Sequence, residues 1–379
     1  MNKDEFFRYI DTFIYIYYII VNNKKMKQVY IIGATGRSGT SVASFLATKQ
    51  VPLVLVGRRL EALQAMADSL SKQTQTKIVM ADSIESICQE VSKAENPIVI
   101  ANFIGPFCTT AVSLVKASPV GSHYVDISNE CRSFEDIFGL HEQALKENRC
   151  LVVGAGFGVV ASEATVMKAC AEKKDSPPLK LRVDTIPYVK DTGPIGPTIA
   201  ATIVEKLHDT GKIYQDGKLK DIMVGTLVIE LTLPDQATTV KTGSAPQGDL
   251  MAAQRVSGAP NVVAASSAVP MSSLNYIVMP IMRGLVTFPA IKRLITRRVE
   301  NMMFPSSPFQ HSYSHVKAEW ADGSTKEVWL RLGDGTDFTN MACGEVTYRL
   351  ASGDSKPGAY TPGALYGIDL ALSAGAEFL

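Results

Sequence analysis

The chain has 379 residues, with 38 lysines and arginines against 37 aspartates and glutamates, a formal net charge of +1. That balance excludes the concentrated basic surface that phosphate backbones recruit, so no nucleic acid is expected as a partner. At 46% hydrophobic and 20% charged the chain has the apolar content to fold, which excludes global disorder, and its length fits two domains or one large α/β unit.

The chain opens with MNKDEFFRYIDTFIYIYYIIVNNKK, in which the run from Thr12 to Asn23 is uncharged. It is shorter than the about 20 apolar residues of a spanning helix. Asp4, Glu5 and Asp11 precede it where a secretory signal carries positive charge. Residues 1–26 therefore read as a poorly ordered extension, the alternative being an interfacial membrane anchor.

From Gln28 the pattern becomes regular. QVYIIGATGRSGTSVASFLA is a β-branched run, a glycine turn, and apolar residues at Val42, Phe45 and Leu46 with helical spacing. Next come the strand VPLVLVGRR, a helix through Leu60, Leu63, Met66, Ala67 and Leu70, the strand KIVM, and a helix opened by Asp82 with Glu85 three residues on, a capping-box spacing. PIVIAN, TTAVSLVKAS, HYVDI, a helix from Ser133 to Glu147 and CLVVG continue the alternation. Six apolar strands joined by helices of crossover length predict an α/β fold with a doubly wound parallel sheet of Rossmann type, because right-handed βαβ units cover both faces.

The first turn, Gly33-Ala34-Thr35-Gly36-Arg37-Ser38-Gly39, closes a strand and opens a helix. Glycines there let backbone approach a pyrophosphate, and the helix start presents N–H groups to it. The second strand ends in Gly57-Arg58-Arg59, where binders of NAD usually carry a carboxylate for the ribose 2′-hydroxyl. A guanidinium pairs instead with a 2′-phosphate, so the expected cofactor is NADP, with Arg58 as first contact and Arg59 as second. Two solvated arginines at a strand end are the alternative. Asp82 can meet the adenine amine or serve as a cap. After Ile104, Gly105 and Pro106 break the fourth strand at its carboxyl end, where ligands of open α/β sheets bind; a plain strand-to-helix turn explains the same residues. The six cysteines form no CxxC pair and no Cys/His cluster, so no metal site is expected.

Further on, PPLKLRVDTIPYV and DIMVGTLVIELTL read as strands. GPTIAATIVEKLHDTG reads as a helix with Pro197 in its first turn and Gly211 just past its end, entered by a loop over Thr192–Gly196 that could face the Rossmann cleft. HVKAEWADGSTKEVWLRLG reads as a hairpin turning at Ala321–Ser324. From Val256 to Met282 there is no charged residue, and Pro260, Pro270 and Pro280 argue against a spanning helix. Arg283, Lys292, Arg293, Arg297 and Arg298 follow. Residues 256–298 thus read as buried or interfacial structure, a lid or homodimer surface included, or as a peripheral contact with an anionic membrane. Last, Thr361 can cap a helix that has Pro362 first inside, Leu365, Ile368 and Leu372 on one face, and Gly375 at its close.

ANFIGPFCTTAVSLVKASPVGSHYVDISNE (101–130), VVGAGFGVVASEA (152–164) and GAYTPGALYGIDLALSAGAEF (358–378), with GATGRSG and VGRR, resemble saccharopine dehydrogenase-like oxidoreductases. The resemblance runs from Met26 to the end of the chain. It implies an NADP-binding Rossmann domain over 27–157, an α/β substrate or dimerisation domain over 158–338, and a C-terminal helical segment, 339–379, returning to the first domain. It also places Ile104, Gly105 and Pro106 beside the cofactor's ribose and nicotinamide. No matched set of Arg, Lys and Asp positions for a charged amino-acid pair is identifiable, so the chain looks more like the hydrophobic branch that resembles trans-acting enoyl reductases. The implied activity is NADPH-dependent reduction of a C=C, C=N or C=O bond in a small apolar, acyl or lipid substrate, in the cytoplasm or peripherally on a lipid surface. Tyr124 and Asp126, on the fifth strand, are the candidates for proton-donating or orienting roles; ordinary buried strand residues are the alternative. A second class of reading is a non-catalytic NADP-binding sensor or membrane-associated adaptor.

Overall fold

The computed structural model describes residues 26–70, 72–173, 175–190, 193–207, 210–235, 238–272, 275–303 and 309–379. The expected extension over residues 1–26 lies outside them except for Met26.

Six strands alternate with helices through the first part of the chain: β1 (Val29–Ile32), β2 (Leu53–Gly57), β3 (Thr76–Met80), β4 (Val99–Asn102), β5 (His123–Asp126) and β6 (Cys150–Val152). A late strand, Gly358–Tyr360, joins them, and the sheet runs Gly358–Tyr360, β6, β5, β4, β1, β2, β3 with every pair parallel. Except at the edge strand β3, both faces are buried, which explains why these strands are continuous apolar runs and not alternating ones. Val29 and Ile31 face a core with Val42, Leu46, Val346 and Leu350; Tyr30 and Ile32 face another with Ile87, Leu114 and Phe134. The order reverses between β1 and β4. That switch point opens a crevice at the carboxyl ends of the strands.

The second sheet has nine strands. β7 (Lys180–Ile186), β8 (Gly211–Gln215), β9 (Lys218–Ile222), β10 (Ile229–Thr232), β11 (Thr239–Ser244), β12 (Asn261–Ser266), β13 (Ser312–Glu319) and β14 (Thr325–Leu332) precede the late strand of the first sheet, β15 (Gly358–Tyr360), and are followed by β16 (Glu377–Phe378). Its path is β10-β11-β12-β7-β13-β14-β16, with β8 on β12 and β9 on β8. One face packs on helices Phe157–Cys170 and Gly248–Ser257, through Leu181, Val183, Val262, Val316 and Val328 against Val166 and Leu250. The fold is therefore a Rossmann-type domain with a second α/β layer, and the C-terminal segment returns to the first sheet. Helix Gly335–Ser352 supplies Val346 and Leu350 to the first core.

Local structure departs from the sequence reading in five places. Helix Ile84–Ser92 is capped by Ser83 in a box with Ser86, one residue later than the Asp82 and Glu85 pairing, because the shorter hydroxyls reach the backbone reciprocally. The single helix expected over Ser133–Glu147 is two, Cys131–Phe138 and His141–Lys146. The break at Gly139 and Leu140 redirects the second so that the His141 ring accepts from the Ala359 N–H of β15. DIMVGTLVIELTL holds a strand end, a turn at Gly225 with φ +74°, and β10, not one strand. The last helix is likewise two, Pro362–Tyr366 and Asp369–Ser373, interrupted at Gly367 with φ +72°. The segment expected to be helical over 339–379 begins earlier, at Gly335, and also carries β15 and β16.

Candidate functional site

The crevice at the switch point is a cavity of about 590 Å³, within the range of small-molecule and cofactor sites. Its floor is Gly33, Thr35 and Gly36 after β1; one end is Gly57, Arg58 and Arg59 after β2 with Ala81, Asp82 and Ser83 after β3; the other is Phe103, Ile104 and Gly105 after β4. Four strand ends thus converge on one ligand-sized space.

The glycine turn is built for close approach. Gly33 has φ +85°, and a Cβ at Gly39 would lie 2.3 Å from the Gly33 carbonyl oxygen, so only glycine lets helix Arg37–Thr48 start this close to the strand. That helix has Gly36 as N-cap, no side-chain cap and no acidic residue in its first turn. Helix Ile84–Ser92 nearby is closed by its serine box. The contrast leaves the end of the first helix suited to an anion, since helix starts carry partial positive charge. Arg58 and Arg59 are exposed at the cavity rim, and neither makes an ion pair among the described residues. Asp82 stays on the same rim, its carboxylate accepting from the Ser86 hydroxyl at 3.4 Å.

At the opposite end a buried polar network holds the loop after β4. The Asn102 side chain accepts from the Ile104 N–H at 3.1 Å and donates to the Thr110 and Tyr124 hydroxyls at 3.0 and 3.1 Å. The Thr110 hydroxyl donates to the Ile104 carbonyl at 3.0 Å. Tyr124 donates to Asp126 at 2.8 Å, and Asp126 accepts from the Ser128 and Gly154 N–H groups. Glu130 receives the Phe107 and Cys108 N–H groups, at 3.2 and 3.0 Å, at the start of helix Phe107–Ala117. Burial pushes the Asp126 carboxyl up to about 6 even though three hydrogen bonds pull the other way, and burial raises the Tyr124 phenol well above its usual range.

Among the residues singled out in sequence, the cavity gathers Gly33, Thr35, Gly36, Arg58, Arg59, Asp82, Ile104 and Gly105. Arg37, Ser38 and Gly39 continue the same turn into its helix, and Pro106 is the residue before helix Phe107–Ala117. Tyr124 and Asp126 are not among the residues that line the cavity, and they are 1% and 0% exposed. Asn102, Thr110 and Glu130 were not anticipated. A polar residue closing an otherwise apolar strand, PIVIAN, was the available signal for Asn102.

The second layer touches this site. Pro197, the first residue of helix Pro197–Lys206, lines the cavity, and Arg37 donates to the Pro194 carbonyl at 3.4 Å. Ile195 and Gly196 donate in turn to the Met302 and Glu300 carbonyls, so the 194–197 loop is tied to the end of helix Pro289–Glu300. Thr192, part of the loop named in sequence, lies outside the described residues. Among the described residues no cluster of three or more His, Cys, Asp and Glu could hold a metal ion.

No protein-family model matches the chain, and no curated protein matches it significantly. Solved structures do show likeness. A probable dehydrogenase from Thermotoga maritima is 11% identical, over 92% of this chain and 94% of that one, with TM-score 0.43. A short-chain dehydrogenase from Sphingobium yanoikuyae in complex with NADPH is 16% identical over 34% of this chain and 70% of that one, TM-score 0.31. An NADPH-dependent reductase involved in bacilysin biosynthesis is 12% identical over 34% and 76%, TM-score 0.30.

Proposed function

We propose that this chain is an NADP-dependent oxidoreductase of the saccharopine dehydrogenase-like type, acting on an apolar substrate presented between the two layers. The observation that carries the reading is the convergence of the glycine turn, two exposed arginines and the post-β4 loop on one cavity.

These residues fit the cofactor. The Gly33–Gly39 turn and the uncapped helix start would hold the pyrophosphate, Arg58 and Arg59 the 2′-phosphate, Ala81, Asp82 and Ile84 the adenine side, and Ile104 and Gly105 the nicotinamide side. When bound, the nicotinamide supplies the hydride. The chain's own residues orient and enclose. Asn102, fixed by Thr110 and Tyr124, sets the Ile104 backbone; Asp126 locks Tyr124; Glu130 anchors the helix that follows. Tyr124 and Asp126 then act as positioning groups and not as proton donors, a reading supported by their complete burial. An apolar substrate is favoured by Phe103 and Ile104 on the wall and by exposed Met302 and Met303 next to the 194–197 loop. The test is NADPH oxidation by the purified chain against enoyl, imine and carbonyl compounds with acyl tails. Acceleration with one class supports a reductase; NADPH binding with no turnover across the panel leaves the sensor reading in its place.

A further inference from the structure

We propose that helices Asn275–Val286 and Pro289–Glu300 form a surface that docks on an anionic lipid bilayer. The inference goes beyond the hydride chemistry and is tested without turnover. Seven of the 18 exposed large apolar side chains among the described residues fall between Val278 and Met303, a concentration far above the scattered apolar residues normal for a protein surface. Val278, Ile281 and Leu285 recur at helical spacing along one side of the first helix. Phe288, between the helices, is 60% exposed, and Leu294, on the second, is 69% exposed. Helix Pro289–Glu300 has no buried residue.

Charge selects the occupant. Arg293, Arg297 and Arg298 lie on the outward side of the second helix with Leu294, since steps of four and five residues keep them within half a turn. None of the three makes an ion pair among the described residues. Between Arg255 and Glu300 the only charged side chains are cations, five in number. A second copy of this face would set those cations against each other. A bilayer with anionic headgroups offers them counter-charge while accepting Phe288 and Leu294 at the acyl boundary. Because Gly196 and Ile195 donate to the Glu300 and Met302 carbonyls, the docked face would adjoin the loop that ends at the cavity. Among the described residues no helix is long and apolar enough to cross a membrane, so the contact is peripheral.

The experiment is density-gradient flotation of the full chain with vesicles of phosphatidylcholine alone and of phosphatidylcholine containing about one-third phosphatidylglycerol. Wild type floats with the anionic vesicles, not with the neutral ones, and salt reduces the floating fraction. The triple variant Arg293→Gln, Arg297→Gln, Arg298→Gln binds about 100-fold more weakly, and Phe288→Ser with Leu294→Ser at least about 10-fold more weakly. Wild type remaining at the bottom with both vesicle types overturns the proposal, as does either variant floating like wild type. Sedimentation velocity without lipid is the control: a wild-type dimer that the same substitutions dissociate would assign the face to a second copy and sink the lipid reading.

Discussion

Glu163 sits in helix Phe157–Cys170, completely buried, and holds the C-terminal segment on the rest of the molecule. It accepts from the Thr361 hydroxyl, from the Gly363 N–H at 2.6 Å and from the Ala364 N–H at 3.3 Å. Burial pushes its carboxyl up from 4.5 to about 7, more than those three hydrogen bonds and the charge of Arg255 pull it down. The folded state therefore keeps a proton that the unfolded chain releases between these two values. This contribution is fully present below pH 4.5 and is lost as pH rises through 7, a swing of about 3 kcal/mol. In Glu163→Gln the swing disappears, because the amide does not titrate. Spread over the unfolding entropy of a chain this long, 3 kcal/mol is about 4 °C in Tm. Thermal unfolding of wild type and variant at pH 5 and pH 8 reads it, and the difference between the two proteins cancels every other titrating group. About 2.5 kcal/mol of that swing lies between pH 5 and pH 8, so the gap, wild type minus variant, is expected to be about 3 °C larger at pH 5 than at pH 8. An equal gap at both pH values, or a larger one at pH 8, refutes the reasoning.

Other outcomes follow from the site. Gly39→Ala places a methyl 2.3 Å from the Gly33 carbonyl oxygen, so the helix must back away at a cost of about 1–3 kcal/mol; NADPH affinity falls at least about tenfold, and unchanged affinity in a fluorescence titration would show that the turn does not cradle the phosphates. Tyr124→Phe removes the hydroxyl between Asn102 and Asp126 and lowers stability by about 1 kcal/mol, with turnover of any accepted substrate reduced less than about tenfold. A fall in kcat of about a thousandfold, the scale of a lost general acid, would make Tyr124 the donor after all. Asn102→Leu strands the Ile104 N–H and removes the amide donor to the Thr110 and Tyr124 hydroxyls, so both melting temperature and NADPH affinity drop; a drop in melting temperature alone confines the network to folding.

Much of the first sheet could be read from residue order, because strands buried on both faces appear as unbroken apolar runs such as VPLVLVG and PIVIAN. The glycine turn and the two arginines were legible for a related reason: each stands at a strand end, where topology alone decides what they face. The second layer was harder. TVKTGS and NVVAAS, which become β11 and β12, are short, and the pairing of β11 with β12 and of β12 with β7 is a long-range contact that no local period announces. The charge-free span from Val256 to Met282 resolves into two different things. Its first part holds β12, where charge is missing because the strand packs on β7 inside the second sheet; its second part opens helix Asn275–Val286, whose Val278 and Ile281 are exposed. Composition reports both as the same deficit. Tyr124 and Asp126 stand on a strand pointing at the cleft, yet the depth of their burial depends on Asn102 and Thr110 from neighbouring elements, which one strand's sequence does not encode.

The central claim is that Arg58 and Arg59 read a 2′-phosphate at the end of β2. Equilibrium titration of wild type and Arg58→Ala with NADPH and with NADH tests it directly. Wild type should prefer NADPH, and Arg58→Ala should weaken NADPH about 10–100-fold, the worth of a charge-assisted hydrogen bond at a partly exposed site, while leaving NADH within about twofold. Equal losses for the two nucleotides, or a wild-type preference for NADH, would contradict the account.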